Sequence, residues 1–69
     1  MEFSESHTFD MLHEHETGGA YKLKSLDTGK TDWYPKSQVI VTDSGVIKHG
    51  KLLVSVTMKE WLAKEKGLI

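Results

Sequence analysis

The chain is expected to fold as a mainly β (α+β) domain: a small open barrel or curled antiparallel sheet of about five strands with one short C-terminal helix. Three observations predict it. Apolar and polar residues alternate over several short runs, rich in β-branched and aromatic side chains. Turn-forming clusters separate the runs: Gly18-Gly19, Asp27-Thr28-Gly29-Lys30 and Asp43-Ser44-Gly45. Only the stretch after Thr57 carries helical spacing. With 69 residues the chain makes a single small domain, 1–69. So short a chain buries only about 60% of its unfolded surface, so every element must dock on the others.

The first strand is expected over Ser6 to Thr17, with Phe9, Met11, His13 and His15 alternating onto one face. Gly18-Gly19 ends it. Ala20 to Leu26 alternates again, with Tyr21 and Leu23 on one face and Lys22 and Lys24 on the other. Asp27 can form an Asx turn and Gly29 supplies a left-handed residue, so a hairpin loop follows. Thr31 to Tyr34 makes the third strand. Pro35 has no N–H for a ladder, and Pro35-Lys36-Ser37-Gln38 suits a single 3₁₀ turn. Val39 to Thr42 resumes β structure, Asp43-Ser44-Gly45 reads as a turn, Val46 to Gly50 as a loop or hairpin arm, and Lys51 to Val56 as the last strand.

The helix has the clearest local signature. Thr57 and Glu60 have capping-box spacing, and Val56 with Trp61 fits a hydrophobic staple. Gly67 suits the residue just past the helix end, with Leu68 folding back onto Leu62 or Ala63. Trp33, Val39, Val41, Leu53, Trp61 and Leu62 are the expected core, with Trp61 anchoring the helix and Tyr34 a partly exposed neighbour.

Composition narrows the function. There is no cysteine, hence no disulfide and no thiolate metal site. Met1-Glu2-Phe3-Ser4-Glu5 lacks the basic flank and apolar run of a leader, and no apolar stretch reaches the ~20 residues of a membrane span. A soluble protein of the bacterial cytoplasm is expected, with no membrane partner. The net charge of −1 hides a gradient. Glu2, Glu5, Asp10, Glu14 and Glu16 precede every basic residue, and all nine basic residues, from Lys22 on, are lysines. Lacking arginine, the chain lacks the bidentate fork suited to guanine and phosphate, which argues against sequence-specific nucleic-acid recognition.

Trp33-Tyr34-Pro35-Lys36-Ser37-Gln38-Val39 resembles the late part of an SH3-like barrel, where a Pro-x-x-x-Val stretch makes the 3₁₀ turn between the last two strands. The hallmark aromatic opening and the Trp-Trp pair of that family are missing, so the resemblance implies an SH3-like barrel and not proline-motif binding. The same element, with the later Trp61-Leu62-Ala63-Lys64-Glu65-Lys66-Gly67-Leu68, is similar to a group of small phage and prophage proteins. That likeness covers residues 20–69 and implies a phage accessory protein without naming its target.

His13-Glu14-His15 invites a metal reading, since a strand would put both imidazoles on one face about 6.5–7 Å apart, with His7 or His49 as a third ligand. A small sheet offers no deep cavity for such a site, and solvated histidines are expected, with no metal and no other cofactor. Ser37 and Ser44 lack a nucleophile elbow, and Gly29-Lys30-Thr31 lacks the rest of a P-loop. The expected function is therefore a non-enzymatic, phage-encoded interaction protein that binds and modulates a host or phage protein, host-defence inhibitors such as anti-CRISPR proteins being one form. Tyr34 and Lys36 beside the proline turn, with Tyr21, Lys22 and Lys24, are the expected partner-binding residues. The alternative is a single-stranded nucleic-acid accessory protein using the same tyrosines and lysines. The molecule is expected as a monomer or as a homodimer through a sheet edge.

Overall fold

The computed structural model describes residues 6–69. Met1–Glu5, on which the argument against a leader rests, lie outside the described residues. The elements are β1 (Ser6–Glu16), β2 (Ala20–Ser25), β3 (Thr31–Pro35), a 3₁₀ turn (Lys36–Gln38), β4 (Val39–Lys48), β5 (Lys51–Lys59) and α1 (Glu60–Glu65). The strands form one antiparallel sheet in the order β3-β2-β1-β5-β4.

That order forces curvature. β3 and β4 are the two edges, yet only a three-residue 3₁₀ turn joins them. In a flat sheet the edges would stand about 19 Å apart, at ~4.8 Å per strand gap. A 3₁₀ turn advances only about 2 Å per residue. The sheet must curl until its edges approach, giving an open barrel. It stays unclosed, because β3 and β4 do not pair among the described residues. The turn precedes β4 and β5, and so is not between the last two strands as in the SH3 resemblance.

Local chemistry explains most boundaries. Gly29 has φ 75°, and the Asp27 loop closes through Ser25 N–H donating to the Lys30 carbonyl at 2.9 Å. His49 and Gly50 both have positive φ (55° and 77°), the requirement of a two-residue primed hairpin, so Val46 to Lys48 is a hairpin arm. Asp43-Ser44-Gly45 does not end a strand. It forms a bulge within β4, where pairing jumps from Asp43↔Val54 to Val46↔Leu53. The Asp43 carboxylate accepts from Gly45 N–H at 2.6 Å, and the Ser44 hydroxyl donates to the Leu53 carbonyl at 2.6 Å. These bonds satisfy polar groups that the interrupted ladder leaves.

The inner face of the curl is the core: Met11, Leu23, Tyr34, Val39, Val54, Val56 and Met58 from the sheet, with Leu62 and Ala63 from the helix. Val39 and Leu62 are buried as expected. Trp33 and Tyr34 exchange the roles expected of them. Tyr34 is 1% exposed and Trp33 is 40% exposed. Register decides this, because Tyr34 lies opposite Tyr21 and so shares the face of Leu23, which puts Trp33 outside. Val41 and Leu53 are half-buried, Leu53 lying on the outer face opposite Leu12.

The helix also departs from expectation. Thr57 does not cap it. Strand β5 runs on to Lys59, pairing with β1 through Thr8↔Thr57, His7↔Met58 and Ser6↔Lys59. The Thr57 hydroxyl meets the Thr8 hydroxyl at 2.9 Å, and the N-cap residue is Lys59, without a side-chain bond. Starting two residues later turns Trp61 outward, at 52% exposure, and leaves Leu62 and Ala63 as the docked residues. The C-terminus follows expectation. Gly67 has φ 75°, Gly67 N–H donates to the Lys64 carbonyl at 3.1 Å and Leu68 N–H to the Ala63 carbonyl at 2.8 Å. This is a Schellman motif, and Leu68 packs back onto the core.

Candidate functional site

Pairing register sorts the expected partner-binding residues onto two sides of the sheet. Tyr21, Tyr34 and Lys36 belong to the inner side near the proline turn. The Lys36 ammonium sits 4.9 Å from the centre of the Tyr21 ring and 2.8 Å from the Glu16 carboxylate. Tyr34 is capped by Lys66, whose ammonium lies 5.4 Å from its ring centre and 3.5 Å from Asp32. Burial, with Asp32 adding to it, pushes the Tyr34 phenol above its usual range. A side chain so covered belongs to the core and offers no surface anchor. Lys22 and Lys24 lie on the outer face, opposite Trp33 and Thr31. The five residues therefore do not form one patch.

The histidines are separated too. β1 carries a bulge where pairing passes from His13↔Leu23 to His15↔Lys22. The extra residue, Glu14, reverses the alternation, so His13 and His15 take opposite faces and not the shared one expected. His13 stands edge-on to Tyr21 inside, at 6.1 Å between centroids, and His15 edge-on to Trp33 outside, at 6.2 Å. Among the described residues no three His, Asp or Glu side chains gather where a metal ion would sit. No helix among them is long and apolar enough to cross a membrane.

Carboxylates tie the elements together. Glu16 accepts from Lys36 and from His13, each at 2.8 Å, and these bonds hold its carboxyl below the usual value. Glu14 is held down first by its bond to Lys51, and Glu60 first by His7 and then by Lys64. Folded-state values below the unfolded ones mean stability that is present above the ordinary carboxylate range and lost as pH falls through it. Tm is therefore expected to be flat near neutrality and to drop on acidification below about pH 4.5. Glu16→Gln should shallow that drop, as thermal melts across the acid range would show. A parent Tm independent of pH down to about pH 3 would contradict these bonds.

Three of the seven large exposed apolar side chains among the described residues lie on edge strand β4: Ile40 at 68%, Ile47 at 66% and Val46 at 49%. Ile40 and Val46 lie on the outer face and Ile47 on the inner one, by their pairing with Thr57, Leu53 and Leu52. Ile40 also borders a groove of about 420 Å³, formed with Ser37, Gln38, Thr57 and Lys59 beside the 3₁₀ turn. The sequence points to contact through an exposed sheet edge without saying which strand forms it. The β-branched run was visible, but which strand would stay unpaired depends on the sheet order. No protein-family model, curated protein or solved structure matches this chain.

Proposed function

We propose that this is a non-enzymatic, phage-encoded interaction protein of the host cytoplasm that binds and modulates a host or phage protein. Host-defence inhibitors, anti-CRISPR proteins among them, fall within this class. One observation carries the reading: β4, an edge strand with one partner among the described residues, presents exposed Ile40, Val46 and Ile47. Natural edges are usually blunted by charge, proline or bulges. Here the bulge at Asp43 blunts only the distal half. Val39 to Thr42 stays regular, between the 3₁₀ turn and the bulge, with a groove alongside. Such an edge suits strand addition, where main-chain hydrogen bonds supply affinity and alternate side chains supply specificity.

The test is retention of a bacterial host protein from nuclease-treated lysate on the immobilised protein. Wild type should retain a specific partner, with modest sensitivity to salt. Ile40→Lys should lose it while melting like the parent, since Ile40 is largely exposed. Retention unaffected by Ile40→Lys and by Ile47→Lys would sink the edge reading, as would loss of the partner on nuclease treatment.

A further inference from the structure

We infer that the outer face carries a second site, distinct from the β4 edge, which binds single-stranded nucleic acid across the strands. The register builds it from residues far apart in the chain. Trp33 on β3 lies opposite Lys22 on β2, and Lys22 opposite His15 on β1. Glu14, the bulge residue, bonds Lys51 on β5 at 2.8 Å, and Lys51 lies opposite Lys48 on β4. One transverse row thus crosses all five strands. Lys24, opposite Thr31 on β3 and Leu12 on β1, extends it on the same face. Its proximity is felt by Glu14, whose carboxyl responds to Lys51, Lys24 and Lys22.

The charge of this row runs against that of the chain. Lys22, Lys24, Lys48 and Lys51 share the outer face with two carboxylates, Glu14 and Asp10, in a molecule whose net charge is −1. Glu14 is already paired with Lys51, and Lys22, Lys24 and Lys48 pair with no carboxylate among the described residues. Among the described residues the row therefore carries an excess of positive charge, which calls for an anionic ligand. Trp33 narrows the class. Its indole is 40% exposed on the same face, steadied edge-on by His15. An aromatic platform beside lysines is the arrangement that stacks a base while neutralising its phosphates. Stacking needs an unpaired base, and the sheet presents no helix or arginine fork for a duplex groove. Recognition would be tolerant of sequence, because stacking and point charges read no base edge. The row spans about 19 Å, four strand gaps, which limits the contact to a few nucleotides.

Fluorescence anisotropy of labelled oligo-dT and oligo-rU of about 15 nucleotides, together with the tryptophan quenching that Trp33→Leu removes and exposed Trp61 does not supply, tests the site. The two oligomers separate a DNA ligand from an RNA one, and binding of either supports the inference. With three lysines in no ion pair among the described residues, the logarithm of the binding constant should fall with the logarithm of salt at a slope of about −2. Lys22→Gln, Lys24→Gln and Lys48→Gln should each reduce that slope by about 0.7. Trp33→Leu should weaken binding roughly ten-fold with little change in slope. Lys64→Gln, on the helix across the sheet, should change neither, and melts of every variant should match the parent. The inference is overturned if neither oligonucleotide binds at low salt, or if a duplex of equal length binds as tightly. It is equally overturned if oligo-glutamate competes as well as oligo-dT and Trp33→Leu has no effect, which would make the row an acidic-peptide site. Ile40→Lys should leave oligonucleotide binding intact, so this test fails or succeeds apart from the edge reading.

Discussion

Tyr34→Ala is expected to destabilise the protein by about 3–5 kcal/mol, the range for removing a buried aromatic ring. For a domain of this size the whole stability is about 3.5–10 kcal/mol. The variant should therefore be largely unfolded, or melt far below the parent. The reasons are packing and position. Tyr34 is among the largest fully buried side chains, it stands opposite Tyr21 where β2 pairs with β3, and Lys66 from beyond the helix covers its ring. Its loss opens a cavity where the sheet edge, the proline turn and the helix end converge. Trp33→Ala makes the paired control. The side chain is larger, but 40% of it is in water and it lies on the outer face, so its removal should cost about 1 kcal/mol or less. Urea titration of both variants decides the matter. A Trp33→Ala protein less stable than Tyr34→Ala would mean that β3 pairs in the opposite register.

The contrast between these neighbours shows what could be read in advance. Strand positions and turns were legible because alternation and glycine placement are local: the strands over Ala20 to Ser25 and Thr31 to Tyr34 and the 3₁₀ turn beside Pro35 occur where residue types put them, although β3 runs one residue further, with Pro35 opposite Ala20. Which face a strand shows to the core is not local. The pair Trp33-Tyr34 reads equally well in either orientation, and only pairing with β2 chooses between them. Bulges hide for the same reason. Nothing in His13-Glu14-His15 marks an extra residue, yet that residue puts the two rings on opposite faces. The capping box at Thr57 met a stronger competitor: continued pairing of β5 with β1 satisfies three more residues of backbone than an earlier helix start would. The outer lysine row draws on every strand, and could not be assembled before the strand order was known.

Helix docking yields the other large effect. Leu62→Ala is expected to cost about 2–5 kcal/mol, since Leu62 is 2% exposed within the core cluster. A six-residue helix has no stability of its own in water, so its order depends on that contact. The cost should reach beyond the helix. Leu68 packs on the same cluster, and Lys66 bridges to Asp32 and Tyr34 on β3, so the C-terminal segment links β5 to the far edge of the curl. Trp61→Ala, by contrast, removes a side chain 52% exposed on the helix's outer surface, and should cost about 1 kcal/mol or less. Thr57→Ala should behave similarly, because it removes a hydroxyl contact between strands and not a helix cap. Amide hydrogen exchange on Leu62→Ala should show lost protection at Lys66, Gly67 and Leu68, whose N–H groups donate to the helix carbonyls, and weakened protection along β3. If protection at those three amides persists while Trp61→Ala abolishes it, the helix docks through its tryptophan, and the start at Glu60 is wrong.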